Sequence, residues 1–147
     1  MNKLLSRCIA FAATKHADQI DKSGQPYILH PLRVMSFLKD DDDVELKCIA
    51  VLHDVVEDTD TTYEELVKLG CTARIILGVK VLTRLPGQTE AEYQDRILRN
   101  PDAMKVKLCD LRHNMDLRRL KGITEKDMLR LQKYAALYHT IKEKLAQ

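Results

Sequence analysis

Apolar residues recur at helical spacing along almost the whole chain, and no stretch alternates apolar with polar residues for long enough to make a strand. An all-α domain follows. A first helix is expected over about 3–19, ending where Asp21-Lys22-Ser23-Gly24-Gln25-Pro26 gathers Gly and Pro into a turn. Pro31 suits the first turn of a second helix running to about residue 38, because its missing N–H would have had no partner there. His30 then stands at that helix start. The acidic run Asp40 to Asp43 lacks the alternating ligands and central Gly of a calcium loop, so it reads as capping for a third helix from about Val44. That helix carries Cys48, Ile49, Val51 and Leu52 inward and delivers His53-Asp54 near its end.

Thr61 and Thr62, each followed three residues later by Glu, offer capping boxes for a short helix closed by Gly70. Further helices are expected over about 72–82 and 90–98, on either side of the loop Leu85-Pro86-Gly87-Gln88. A long one spans about 102–120 and stops at Gly122, and a last one, capped by Thr124 and Asp127, covers about 125–145. No repeat, linker or low-complexity segment interrupts the 147 residues, so one domain over 1–147 is expected.

With 24 Lys and Arg against 22 Asp and Glu, the net charge of +2 is too small for a nucleic-acid footprint based on charge alone. The cluster Arg112, Arg118, Arg119 and Lys121 reads instead as a solvated helix end complementing the dipole. Cys8, Cys48, Cys71 and Cys109 show no C-x-x-C spacing, and buried thiols in a reducing compartment fit them better than disulfides. The apolar run after Lys3 and Arg7 is short and passes directly into Thr14-Lys15-His16, which favours an amphipathic helix over a signal peptide. No segment has the length of a membrane span. The expected location is the cytoplasm, with no membrane or nucleic-acid partner.

The pair His53-Asp54 lies in the apolar run 49–56, where two polar groups are costly unless something satisfies them. A divalent cation would do so. His30, and Asp110 in the apolar run 106–111, are the natural further ligands, and a mixed imidazole and carboxylate set suits Mn²⁺, Fe²⁺, Co²⁺ or Zn²⁺. On spacing alone each of these residues can equally be an ordinary core or surface residue. Lys107, Asp110 and Asn114, spaced i, i+3 and i+7, project from one helix face, which His113 does not share.

The order His30, His53-Asp54, Asp110 resembles the signature of the HD-domain metal-dependent phosphohydrolases. The flanking stretches 22–31, 52–59 and 106–115 are similar to the ppGpp hydrolase domain of the Rel/SpoT type, over roughly residues 8–120. The resemblance implies a helical HD fold and a metal, typically manganese, held by His30, His53, Asp54 and Asp110. It also implies hydrolysis of the 3′-pyrophosphate of ppGpp, with the metal activating a water. Glu57 and Asp58 would orient or deprotonate that water, although as acidic residues in a turn before Thr59 they could simply cap. Lys22, Ser23 and Asn114 would contact the nucleotide, a small-molecule partner.

Two positions depart from the family pattern. Asp21 and Asp116 stand where the family carries arginines, and a carboxylate facing the site would repel a phosphate-rich ligand. Lys80, Arg84, Lys105, Lys107 and Arg112 are other candidate phosphate contacts. The length leaves no room for the nucleotide-synthesising domain of the long relatives, so a hydrolase-only chain is expected. The alternatives are another HD nucleotide phosphohydrolase, a monophosphatase or phosphodiesterase, and a nucleotide-binding regulatory module without turnover.

Overall fold

Helix α3 (Val44–Leu52) is buried from Leu46 onward except for Lys47, which explains its place at the centre: a helix apolar on nearly every face must be covered on every face. The computed structural model describes residues 2–39 and 42–147, so the expectation for Asp40 and Asp41 lies outside the described residues. Asp43 caps α3 through its carboxylate, which accepts from Leu46 N at 2.8 Å. Around α3 pack α1 (Asn2–Lys15), α2 (Leu29–Ser36), α6 (Ala73–Leu82) and α8 (Pro101–Asn114). The shorter α4 (Val55–Asp58), α5 (Tyr63–Leu69) and α7 (Glu90–Ile97) fill the connections, and α9 (Glu125–Leu145) lies along α8. No strand occurs among the described residues, and none of their helices is long and apolar enough to cross a membrane.

Local chemistry sets the boundaries. Thr62 with Glu65, Thr89 with Glu92 and Thr124 with Asp127 form reciprocal capping boxes that start α5, α7 and α9. Gly70 ends α5 at φ 106°, a left-handed conformation that only Gly adopts without steric cost. Helix α1 stops at Lys15, before the expected end, because Gln19 is drawn into tertiary contacts: its amide donates to Asp58 O at 2.7 Å and its carbonyl accepts from Tyr27 N at 2.9 Å.

A second departure matters more. The expected helix over 102–120 ends at Asn114, and Gly122 plays no part in ending it. Asp116 takes an extended ψ of 103° and its carboxylate accepts from Arg118 N, opening a 3₁₀ turn over Leu117–Arg119. Short acidic side chains that capture nearby backbone N–H groups compete with the helix in this way.

At the contact of α6 with α3, a Cβ on Gly78 would lie 2.5 Å from Ile49 Cδ1 and 2.9 Å from its Cγ1. Ile49 is wholly buried and has nowhere to move. Gly78→Ala is therefore expected to destabilise by about 1–2 kcal/mol net, overpacking outweighing the ~1 kcal/mol that Ala gains in helix propensity. Urea unfolding measures it. Combining Gly78→Ala with Ile49→Val, which deletes Cδ1, should recover part of the loss; simple additivity would count against the contact.

Candidate functional site

The break between α3 and α4 falls at His53-Asp54, so both side chains turn out of the helical run toward one point. His30 comes to that point from the first turn of α2, and Asp110 from the middle of α8. One ligand atom from each of His30, His53 and Asp110 lies within 4.8 Å of the others. His30 Nε2 is 2.9 Å from Asp110 Oδ1, and His53 Nε2 is 3.5 Å from the same oxygen. Asp54 joins them, its Oδ2 lying 3.1 Å from His53 Nε2 and 3.7 Å from His30 Nε2. His30, His53 and Asp110 are buried, and Asp54 is nearly so.

The hydrogen bonds around these groups decide which atoms face the centre. His53 Nδ1 donates to Ala50 O at 2.6 Å, while its Nε2 is buried with no hydrogen-bond partner among the described residues. An orphaned buried imidazole nitrogen beside two carboxylates is the donor set of a cation site. His30 Nδ1 lies 2.7 Å from His113 Nδ1, the rings stacked at 5.0 Å. Burial, with Arg119 nearby, pushes His113 down to about 4, so at neutral pH its ring is uncharged and the two Nδ1 atoms share one proton. Lys107 Nζ and Asn114 Nδ2 hold Asp110 at 2.9 Å and 3.1 Å. The Tyr27 hydroxyl donates to Asp54 Oδ2 and stands 3.4 Å from Asp58.

Electrostatics point the same way. Burial alone would raise the two carboxyls, but Lys107 and the histidines hold Asp110 well below the usual range, and His53 keeps Asp54 down at about 2. Burial would lower His53, and Asp54 and Asp110 more than reverse it, holding the imidazole well above its ordinary value. The centre thus attracts positive charge, and the residues present fit a divalent cation.

Asp54, Glu57 and Asp58 form a second acidic group at one edge, with carboxylate oxygens within 4.8 Å of one another. Glu57 Oε1 accepts from Arg84 N at 2.7 Å. Burial and the neighbouring charges of Asp54 and Glu57 push Asp58 up to about 6. A cavity of 230 Å³ covers both acidic groups and is further walled by Arg84, Tyr93, Lys107, Asn114, Arg119 and Tyr134. Beside it, a cavity of 320 Å³ contains Lys22 and Ser23 and shares Tyr27, Asn114, Arg119 and Tyr134 with the first.

The structure brings together His30, His53, Asp54, Asp110, Glu57, Asp58 and Asn114, and places Lys22 and Ser23 on the neighbouring cavity. Of the candidate phosphate contacts, Arg84 and Lys107 line the first cavity, whereas Lys80 lies over Tyr63 and Arg112 over Phe37. Lys105 lines neither cavity. Asp21 and Asp116 both line the adjoining cavity, each with a cationic neighbour. Asp21 Oδ1 accepts from Ser23 N, Ser23 Oγ and Gln25 N at 2.9, 2.7 and 2.9 Å, and Oδ2 faces Arg119 at 3.5 Å. Asp116 is paired with Arg118 at 2.8 Å.

Three residues escaped the sequence reading. His113 was expected to lie off the Asp110 face, yet it touches His30; its i+3 spacing from Asp110 was the available signal. Tyr27 had no signal beyond its place near His30. Arg119, expected on a solvated helix end, is turned inward by the early stop of α8. Because His113 orients His30, His113→Ala is expected to weaken metal affinity by about 10–100-fold with the fold intact, measured by metal titration against a competing chelator.

The family described as HD domain matches residues 8–118. The chain is 43% identical over 128 residues to the guanosine-3′,5′-bis(diphosphate) 3′-pyrophosphohydrolase MESH1 of Danio rerio, covering 79% of this chain and 70% of that protein. It is 37% identical over 117 residues to an Aquifex aeolicus protein of the same enzyme name, and 32% identical over 124 residues to the bifunctional (p)ppGpp synthase/hydrolase SpoT of Escherichia coli. It spans only 17% and 18% of the lengths of those two proteins. Among solved structures, one described as a metazoan ortholog of SpoT that hydrolyzes ppGpp matches with a TM-score of 0.75 at 26% identity, over 94% of this chain and 84% of that one. A matched family spanning most of the chain, on a helical scaffold that gathers the His-Asp pair with a distant His and Asp, leaves one assignment: this chain belongs to the HD domain family.

Proposed function

We propose that the chain is a divalent-metal-dependent phosphohydrolase that removes the 3′-pyrophosphate of ppGpp or pppGpp in the cytoplasm, with Mn²⁺ as its metal and His30, His53, Asp54 and Asp110 as ligands. The observation that carries this reading is the orphaned Nε2 of His53 facing two buried carboxylates beside the Glu57-Asp58 pair. The names of the relatives support the substrate. When bound, such a cation lowers the pKa of a water and draws charge from the phosphoryl oxygens. The protein's residues do the rest.

Lys107, with Asp110 as its partner, contributes a buried ammonium at the cavity wall, where developing phosphoryl charge is poorly solvated. Glu57 has one oxygen fixed by Arg84 N and the other available to take a proton from the attacking water. Asp58 stands beside it, a second carboxylate within 4.8 Å at the edge of the cavity. Water oxygen bonds to the phosphorus attached to the ribose 3′ oxygen, the bond to that 3′ oxygen breaks, and the oxygen takes up a proton in place of the one given to Glu57, leaving a 3′-hydroxyl. Pyrophosphate leaves, and GDP or GTP remains. Lys22, Ser23 and Asn114 face the nucleoside from the adjoining cavity.

Purified protein loaded with Mn²⁺ and offered ppGpp, pppGpp and a nucleotide panel is expected to release pyrophosphate. Orthophosphate or a nucleoside monophosphate as the sole product would replace this reading by a monophosphatase or phosphodiesterase. Nucleotide binding without turnover under any of several metals would make the protein a regulatory module.

A further inference from the structure

Arg119 lines both the metal cavity and the adjoining one, and it is the only cationic residue that the two walls have in common. Of the other cations, Lys107, Arg84 and Arg130 are paired, and Lys22 lines the adjoining cavity alone. In the metal cavity Lys107 is locked to Asp110 at 2.9 Å, and Arg84 is paired with Glu90 and stacked 4.1 Å over Tyr93. In the adjoining cavity Arg130 is paired with Asp127, and Lys22 is exposed.

Arg119 is held differently. Its Nη1 donates to His113 O at 3.2 Å and Asn114 Oδ1 at 3.3 Å, both uncharged acceptors. Its one carboxylate contact, Asp21 at 3.5 Å, is far longer than the ~2.8 Å of a strong charge-assisted hydrogen bond. Asp21 is fixed by its own loop through the bonds to Ser23 and Gln25, so it cannot follow the guanidinium. A third cavity of 380 Å³, walled by Asp21, Arg33, His113 and Arg119, leaves the guanidinium room to turn. The pair is a poised contact that a stronger anion can replace.

Resting on the proposed nucleotide hydrolysis, we infer that Arg119 is a specificity-determining residue that reads the phosphate group not being cleaved, exchanging Asp21 for it. With the scissile 3′-phosphate over the histidines and the nucleoside in the adjoining cavity, Arg119 stands at the junction. Asp21 keeps Arg119 in place in the free protein and weakens its hold on ligands that bring no second anion. The selected class is nucleotides phosphorylated at both ends of the ribose.

The test compares ppGpp with guanosine 3′-diphosphate, which carries the scissile group and no 5′-phosphates. Two readouts are used: kcat/KM on the Mn²⁺-loaded protein, and Kd by calorimetry on the metal-free protein, where there is no turnover. Arg119→Ala is expected to cut the preference for ppGpp over the shorter nucleotide by about tenfold or more in both readouts, and Arg119→Lys to restore part of it. Asp21→Asn keeps an acceptor for the loop and removes the competing charge, so it should tighten ppGpp binding by about threefold. An unchanged preference in Arg119→Ala, equal losses on both nucleotides, or weaker ppGpp binding in Asp21→Asn overturns the inference. Wild-type binding that favours ppGpp without any turnover would overturn the hydrolase reading alone, and the Kd ratios would still decide the role of Arg119. Failure of the wild type to bind either nucleotide overturns both.

Discussion

Asp110→Ala is expected to lose stoichiometric metal and, with it, turnover. Two effects combine. The carboxylate is the anion nearest His30 Nε2, at 2.9 Å, and it also lies 3.5 Å from His53 Nε2, so its loss leaves the two imidazoles and Asp54 as the remaining donors. It is also the partner of Lys107, whose side chain is only 13% exposed, so the truncation strands a buried ammonium beside the histidines. A cation would then enter a centre with one fewer negative charge and an unpaired positive one. His53→Ala removes a donor without creating that charge, and its metal loss should be accompanied by a smaller change in stability. Metal analysis of the purified proteins, with circular dichroism to show that the helices persist, reads the outcome. Full metal content in both variants would sink the assignment of this centre.

These residues are legible in the sequence because each is a polar side chain in an apolar run, where burial without a partner is costly. His53 and Asp110 are 3% and 6% exposed, as such placement demands. The helices are legible for a similar reason: the apolar period and the caps are local, and Thr62, Thr89 and Thr124 start their helices from information within four residues. What could not be read are choices made between distant segments. Asp21 looks like a lost cation until the loop bonds of its own carboxylate and the approach of Arg119 from beyond α8 are known. Arg119 in turn depends on the helix stopping at Asn114, a competition between Asp116 and the helix for one backbone N–H that composition does not decide. The cleft chemistry therefore divides into a locally encoded centre and a surround set by tertiary pairing.

Glu57→Gln tests the chemistry separately from the metal. Glu57 Oε1 accepts from Arg84 N at 2.7 Å, and the glutamine oxygen can keep that bond, so the loop after α6 should hold its position. What the variant lacks is a basic oxygen. If Glu57 takes the proton from the attacking water, kcat should fall by about 10²–10⁴-fold while metal content is retained. Removing its charge also relieves Asp58, whose carboxyl is held up near 6 by burial and by the charges of Asp54 and Glu57, so Asp58 becomes a weaker base as its neighbour is neutralised. Asp58 keeps its carboxylate in Glu57→Gln, so the Glu57→Gln, Asp58→Asn double variant tests it as a substitute base, and should be little slower than Glu57→Gln alone if the two act as a unit. Rates from single-turnover pyrophosphate release separate these cases. A loss of only a few-fold in Glu57→Gln, with metal intact, would remove Glu57 as the base and leave it as the tether of Arg84.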